Sequence, residues 1–262
     1  MEKKKIEVEK KVAVKQERKV ILHYHLFKNA GTSLDAAFKE NFKGDEWVTK
    51  EFPAQPAKNR EQVVEWILDN PQAKCFSSHT AILPPPKLKG IKVLPVIFIR
   101  HPIDRIASAY AFEIKQGGDN FGAVLARNTT MAGYIETRLA LPNDFQCRNF
   151  QMLRLSTMFG EKQGDEFTRA KMAVEKLPFI GVVEEFEQSL VKLEGWLKSE
   201  GFEDLSIKAV EKNVSRNIKL TLDVKILEIE KELGGNVYQK LLEANGKDLA
   251  IYDEIMRNKI RR

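Results

Sequence analysis

Residues 25–33 read HLFKNAGTS and follow the apolar run VILHY of residues 20–24. The stretch places Lys28, Gly31, Thr32 and Ser33 together where a strand ends. Small residues at a strand-to-helix junction leave backbone N–H groups at a helix N-terminus, where they and the helix dipole favour an anion. Thr32 and Ser33 add hydroxyl donors, and Lys28 adds a point charge on a flexible stem. An ordinary strand-to-helix turn with Ser33 as N-cap accounts for the same residues without a ligand. The triphosphate-binding pattern GxxxxGK[ST] has its lysine after the last glycine and a hydroxyl for magnesium. Here the lysine precedes the glycine by three positions, which disfavours a magnesium-dependent kinase or ATPase.

Working outward, Val20–Phe27 reads as a buried strand. A helix is expected from Ser33, with Leu34, Ala37, Phe38 and Phe42 at helical spacing on one face. FPAQPAKN (52–59) reads as a loop. REQVVEWILDN (60–70) reads as an amphipathic helix stopped by Pro71. AKCFSSH (73–79) reads as a short strand and ILPPPKLKG (82–90) as irregular, since three prolines remove three backbone donors. KVLPVIFIR (92–100) reads as a third strand, with Pro95 placing its start near an edge. A helix over 103–115, a loop at QGGDNFG (116–122) and mainly helical structure from Met131 follow. RNFQMLRLSTMFG (148–160) ends on a glycine C-cap signal. The remaining segments read as helices over 166–177, 185–201, 222–235 and 248–260, the last two on the surface, with a short strand at PFIGVV (178–183). Strands alternating with helices predict an α/β fold. Its expected form is a central parallel sheet flanked by helices, a phosphate-binding strand–loop–helix like that of nucleotide-binding proteins, and a mainly helical C-terminal half. Residues 1–19 read as a charged arm and 20–262 as a single domain.

The chain has 262 residues, 43% of them apolar, enough for a full core. No apolar run approaches the roughly 18–20 residues of a membrane span, and the N-terminus lacks the apolar centre of a signal peptide. Two cysteines, Cys75 and Cys147, argue against a disulfide framework and fit a cytoplasmic chain. The net charge of +6 suits either plain solubility or attraction to phosphate, sulfate or acidic glycan. No polybasic tract or zinc-finger spacing points to nucleic acid.

A second stretch, RHPIDRIASAY (100–110), puts Arg100 at the end of a strand and Ser108 on the next helix. Open α/β sheets bind ligands beyond the carboxyl ends of their strands, and an arginine there can fork onto a second phosphate. Pairing of Arg100 with Asp104 at a helix start is the plainer alternative.

Together these stretches resemble the sulfotransferase superfamily, particularly bacterial members related to heparan sulfate 2-O-sulfotransferase. The first pattern of that group is H-x-P-K-T-A-G-T-S; here Phe27 replaces proline and Asn29 replaces threonine. The second is R-D-P-x-x-R-x-x-S-x-Y; here His101 replaces aspartate. FSSHT, LPFIGVVEEFEQSL, EKNVSRN and DLAIYDEI are weaker echoes. The resemblance implies a donor, 3′-phosphoadenosine 5′-phosphosulfate, and no metal. By resemblance, Lys28 and the loop Asn29, Ala30, Gly31, Thr32 and Ser33 hold its 5′-phosphosulfate. Arg100 and Ser108 hold the 3′-phosphate, while Asn213, Ser215 and Arg216 cover the nucleotide. The acceptor hydroxyl needs a base, and His79 is the choice because it ends a strand on the edge that carries both phosphate motifs and matches the family's strand-end histidine. Glu113 is the alternative base. Lys28 would stabilise the leaving phosphate. The acceptor is expected to be a carbohydrate or glycolipid. His23 and His25 share a strand face, with no carboxylate suitably spaced in the sequence for a metal site; His25 is read as orienting the loop. The rival functions are a nucleotide kinase with an atypical phosphate loop and a non-catalytic nucleotide- or glycan-binding module.

Overall fold

The computed structural model describes residues 17–208 and 220–260, with side chains described as far as 257. Five strands form one all-parallel sheet in the order β2-β3-β1-β4-β5. They are β1 (Arg18–Tyr24), β2 (Trp47–Thr49), β3 (Cys75–Ser78), β4 (Ile91–Ile99) and β5 (Gly181–Val182). The chain runs from β1 out to β2, back to β3, and then across β1 to β4. That change of direction makes the carboxyl ends of β1, β3 and β4 the ligand-facing edge of such a sheet. β1 is covered on both faces and paired on both sides, which is why VILHY reads as an unbroken apolar run.

Both faces carry helices. On one, Val20, Leu22, Tyr24, Phe76, Ile97 and Ile99 pack against α2 (Pro56–Asp69), α6 (Phe150–Ser156), α7 (Glu166–Lys176) and α11 (Gly246–Ile260). On the other, Ile21, Cys75, Leu94, Val96 and Phe98 meet α1 (Gly31–Asn41) and α8 (Phe186–Ser199). A third apolar cluster contains no strand residue. It joins α3 (Pro102–Lys115), α4 (Phe121–Asn128), α5 (Met131–Ala140), α9 (Leu222–Leu233) and α10 (Gly235–Ala244). The α/β class and the helical C-terminal half are as the sequence predicts.

Several local expectations are corrected. β1 starts at Arg18, two residues before the expected domain boundary, because the Arg18 guanidinium donates to the carbonyls of Ile67, Asn70 and Ala73. It ends at Tyr24 rather than Phe27, where the phosphate-loop turn begins. α1 starts at Gly31, not Ser33: its N-cap is Ala30, left-handed at φ 59° and without a side-chain cap. Gly160 has φ −73° and does not end α6, which stops four residues earlier, at Ser156; it instead precedes the short 3-10 turn Glu161–Gln163 as its N-cap. α4 and α10 were not foreseen, and the late helices are not confined to the surface, since Ile229, Leu233, Leu241, Ile251 and Ile255 are buried. Pro95 is tolerated mid-strand because β5 pairs with β4 only at Phe98 and Ile99, so no neighbour needs a donor at Pro95 on that side. Residues 1–16 lie outside the described residues.

Gly181 pairs across from Phe98, whose ring lies where a Cβ on Gly181 would fall. Gly181→Ala is expected to overpack this seam and destabilise the fold by about 2 kcal/mol, read as a lowered urea midpoint with an unchanged slope.

Candidate active site

The loop between β1 and α1 is strained. Lys28 and Ala30 both adopt left-handed backbone, at φ 63° and 59°. This conformation is unfavourable for residues with a Cβ and persists only where the surroundings impose it. Asn29 supplies the constraint. Its side chain is 1% exposed and turns inward, where Nδ2 donates to the Phe98 carbonyl at 2.8 Å and to Gln151 Oε1 at 2.8 Å. The side chain is therefore an internal tether, leaving the Asn29 backbone to the loop. Lys28 and Ala30 are half-buried, Thr32 is exposed and Ser33 is half-buried. Leu34 and Ser33 both donate their N–H groups back to the Ala30 carbonyl. Gly31 is required for space: a Cβ there would fall on the His25 ring.

Arg100 stands beside this loop. Its Nε and Nη2 grip Asp104 Oδ2 at 2.7 and 2.6 Å, so the plain helix-start pairing exists. Nη1 in addition donates to the Lys28 carbonyl at 3.2 Å, so the two stretches singled out in the sequence are in contact. Lys28 Nζ lies 4.5 Å from the centre of the Phe112 ring. Burial lowers the Lys28 pKa, and the nearby charges of Arg100 and Lys115 lower it further. Ser108 lies one turn beyond Asp104 on the same face of α3 and is buried. Asn213, Ser215 and Arg216 lie outside the described residues.

β1 and β3 are in register at Tyr24 and Ser78, so the residues that follow them meet. The rings of His25 and His79 lie 3.8 Å apart between centroids, tilted by 39°. The His79 loop is well anchored. Ser78 Oγ accepts from the Thr80 and Ala81 N–H groups, the Asn59 side chain donates to the Pro53 and Thr80 carbonyls, and the His79 N–H donates to Glu51 at 3.2 Å. Burial lowers the His79 pKa from 6.5, and neighbouring His25 lowers it further; Glu51 and Asp35 oppose this. His79 is thus neutral near pH 7. Glu113 is in a different setting: 7% exposed, it accepts from Tyr134 Oη at 2.7 Å and from Arg138 Nη2 at 3.0 Å. Its oxygens are committed within a helical cluster.

The sequence reading missed Asp35. From α1 it accepts hydrogen bonds from His23 Nδ1 at 2.8 Å, His25 Nδ1 at 2.9 Å and Ser77 Oγ at 2.7 Å. The expectation that no carboxylate lies near these histidines is therefore wrong, and the ligating atoms of all three fall within 4.8 Å of one another. Those atoms are spent on each other. Although burial pushes the Asp35 carboxyl upward, His23 and His25 together hold it well below the usual carboxylate range.

Gln151 was also missed. Its Oε1 accepts from Asn29 Nδ2 and from the Arg100 N–H, and its Nε2 donates to the Arg100 carbonyl, all at 2.8 Å. His101, replacing the family's acid, donates its backbone N–H to Glu184 at 2.7 Å and sets its ring edge-on to Tyr252.

A strained loop after β1, Arg100 at the end of β4 and His79 at the end of β3 thus lie along one edge of the sheet. The chain belongs to the sulfotransferase family, whose sequence pattern matches residues 12–253. It is 42% identical over 247 residues to an uncharacterised protein of Archaeoglobus fulgidus, covering 91% of this chain and 96% of that one. No described helix is long and apolar enough to cross a membrane.

Gln151→Ala leaves Asn29 Nδ2 one acceptor short and strips both backbone groups of Arg100 of their side-chain partner. We expect a loss of about 3 kcal/mol in urea unfolding, while Gln151→Glu, which keeps the two acceptances but not the donation, loses less.

Proposed function

We propose that this protein transfers a sulfuryl group from 3′-phosphoadenosine 5′-phosphosulfate to a hydroxyl of a carbohydrate or glycolipid, without a metal. What supports the reading most is that Arg100 Nη1 reaches the Lys28 carbonyl at 3.2 Å, which brings together the two strand ends that carry the cations. A donor with phosphate groups at both ends of one adenosine suits that pair. The loop fits an anion on its own chemistry, because the first N–H groups of a helix have no carbonyl one turn earlier to donate to, here those of Gly31 and Thr32, and Thr32 is exposed beside them.

In the proposed step, neutral His79 takes the proton of the acceptor hydroxyl as the acceptor oxygen attacks sulfur. The bond from sulfur to the bridging phosphate oxygen breaks, and adenosine 3′,5′-bisphosphate leaves with the electron pair. Lys28 stabilises the charge that builds on that oxygen. Thr32 and Ser33 stand at the loop as further donors to the 5′ end, and Arg100 with Ser108 would hold the 3′-phosphate. Asn213, Ser215 and Arg216 are assigned to covering the nucleotide. His79 is favoured over Glu113 as base because the glutamate is tied to Arg138 and Tyr134. A reducing, cytoplasmic setting is consistent with Cys75 and Cys147, both free and buried, and the acceptor class follows the family resemblance.

Adenosine 3′,5′-bisphosphate is expected to raise the melting temperature in scanning fluorimetry, and ATP with magnesium to leave it in place; the reverse would reject the donor. His79→Ala should abolish labelled-sulfate transfer with nucleotide affinity unchanged. Lys28→Ala should cost about 3 kcal/mol of transition-state stabilisation, roughly 150-fold in turnover.

The pH profile tests the same roles. A base works when neutral, so the rate should fall on acidification through the His79 pKa, which lies below 6.5. Lys28 works when charged, so the alkaline fall should come below the ordinary 10.5. An acid limb centred above 6.5 contradicts the His79 assignment.

A further inference from the structure

A carboxylate facing two stacked histidines is a specific arrangement, and the phosphate loop does not need it. Asp35 accepts one imidazole on each oxygen, with Ser77 donating to Oδ1 as well. An ionised carboxylate only accepts, so both rings must carry their proton on Nδ1. His25 is confined on three sides. Asp35 holds its Nδ1, Gly31 closes against Cδ2 and Nε2, and His79 covers its face at 3.8 Å. His79 reaches the surface, and its ring lies against the face of His25.

We infer that Asp35 is a positioning residue for sulfuryl transfer: by locking His25 in one orientation and tautomer it seats the His79 ring and sustains its basicity. The inference rests on reading His79 as the base. The charged and titratable groups around His79 come from each neighbouring segment: His25 from the loop just after β1 and, behind it, His23 from β1, Asp35 from α1, and Glu51 from the loop after β2. The two carboxylates favour the protonated ring that forms during transfer, while burial and His25 oppose it.

The test is ring-nitrogen NMR on histidine-labelled protein, alongside transfer kinetics. In the unaltered protein, His23 and His25 should both show the Nδ1–H tautomer near neutral pH; an Nε2–H tautomer at His25 overturns the inference without any variant. Asp35→Asn replaces two acceptors by one acceptor and one donor, so one ring must reverse its tautomer. Removing the negative charge should lower the His79 pKa, because Asp35 favours the protonated ring. The acid limb of the rate profile should move to lower pH by the same amount. We expect kcat to fall about tenfold or more with KM for the donor nearly unchanged, and Asp35→Glu to recover part of the loss. If Asp35→Asn lowers only the melting temperature and leaves the His79 titration in place, Asp35 is merely structural and the inference fails. If the titration shifts but His79→Ala still transfers sulfate, the role in transfer is overturned although the coupling of Asp35 to His79 stands.

Discussion

The buried amide of Asn29 is the constraint on which the site depends. It ties a loop at the end of β1 to the Phe98 carbonyl in β4 and to Gln151 in α6. Those two bonds hold Asn29 in place between two left-handed residues, and so fix where Lys28 projects. Gln151 brackets the Arg100 peptide from both sides, so one side chain sets the spacing between the two cations. Gln151 is positioned in turn from the C-terminus: Asp248 in α11 accepts the N–H groups of Gln151 and Met152, and Asn245 donates to the Cys147 carbonyl. The distant helical half thus helps to set the distance between two strand ends, because leaving one of these buried donors without its acceptor costs about 1–3 kcal/mol.

Electrostatically, β1 divides the site in two. Toward β4 stand Lys28 and Arg100, whose mutual repulsion contributes to lowering the lysine pKa and favours a polyanion between them. Toward β3 stand the histidines, with Asp35 behind them as the negative partner. In the proposed reaction, proton removal and charge stabilisation would therefore fall on opposite sides of one strand end. Each side also has its own carboxylate: Asp104 is paired with Arg100 on one, and Asp35 accepts from His23 and His25 on the other.

What could be read in the sequence was local. The strand, the small-residue loop, Arg100 at the next strand end and His79 each announce themselves within a few residues. What escaped was joined across the chain. Gln151 bonds Asn29 over 122 positions, and Asp35 bonds Ser77 over 42; no spacing rule reaches so far. The interior role of the Asn29 side chain had no local signal either, since both of its acceptors, the Phe98 carbonyl and Gln151 Oε1, lie far along the chain. Ser33 looked like an N-cap because its residue type suits one, yet the left-handed turn at Ala30 starts the helix three residues sooner. Gly160 failed as a C-cap signal because a glycine marks a helix end only when its backbone turns left-handed, and this one does not.

The departure from the family pattern at His101 has a physical account in the same terms. Asp104 and Glu184 already lie close to Arg100, and Asp104 contributes to raising the Glu184 pKa, which burial has pushed up first. An aspartate at position 101 would be a third carboxylate in that space, opposed by one guanidinium that Asp104 already holds. Burial lowers the His101 pKa, so the ring is neutral there and packs edge-on against Tyr252. The backbone N–H of residue 101, which any residue would supply, makes the bond to Glu184. The substitution thus keeps the hydrogen bond that joins the start of α3 to the end of β5 and removes a charge the pocket cannot balance.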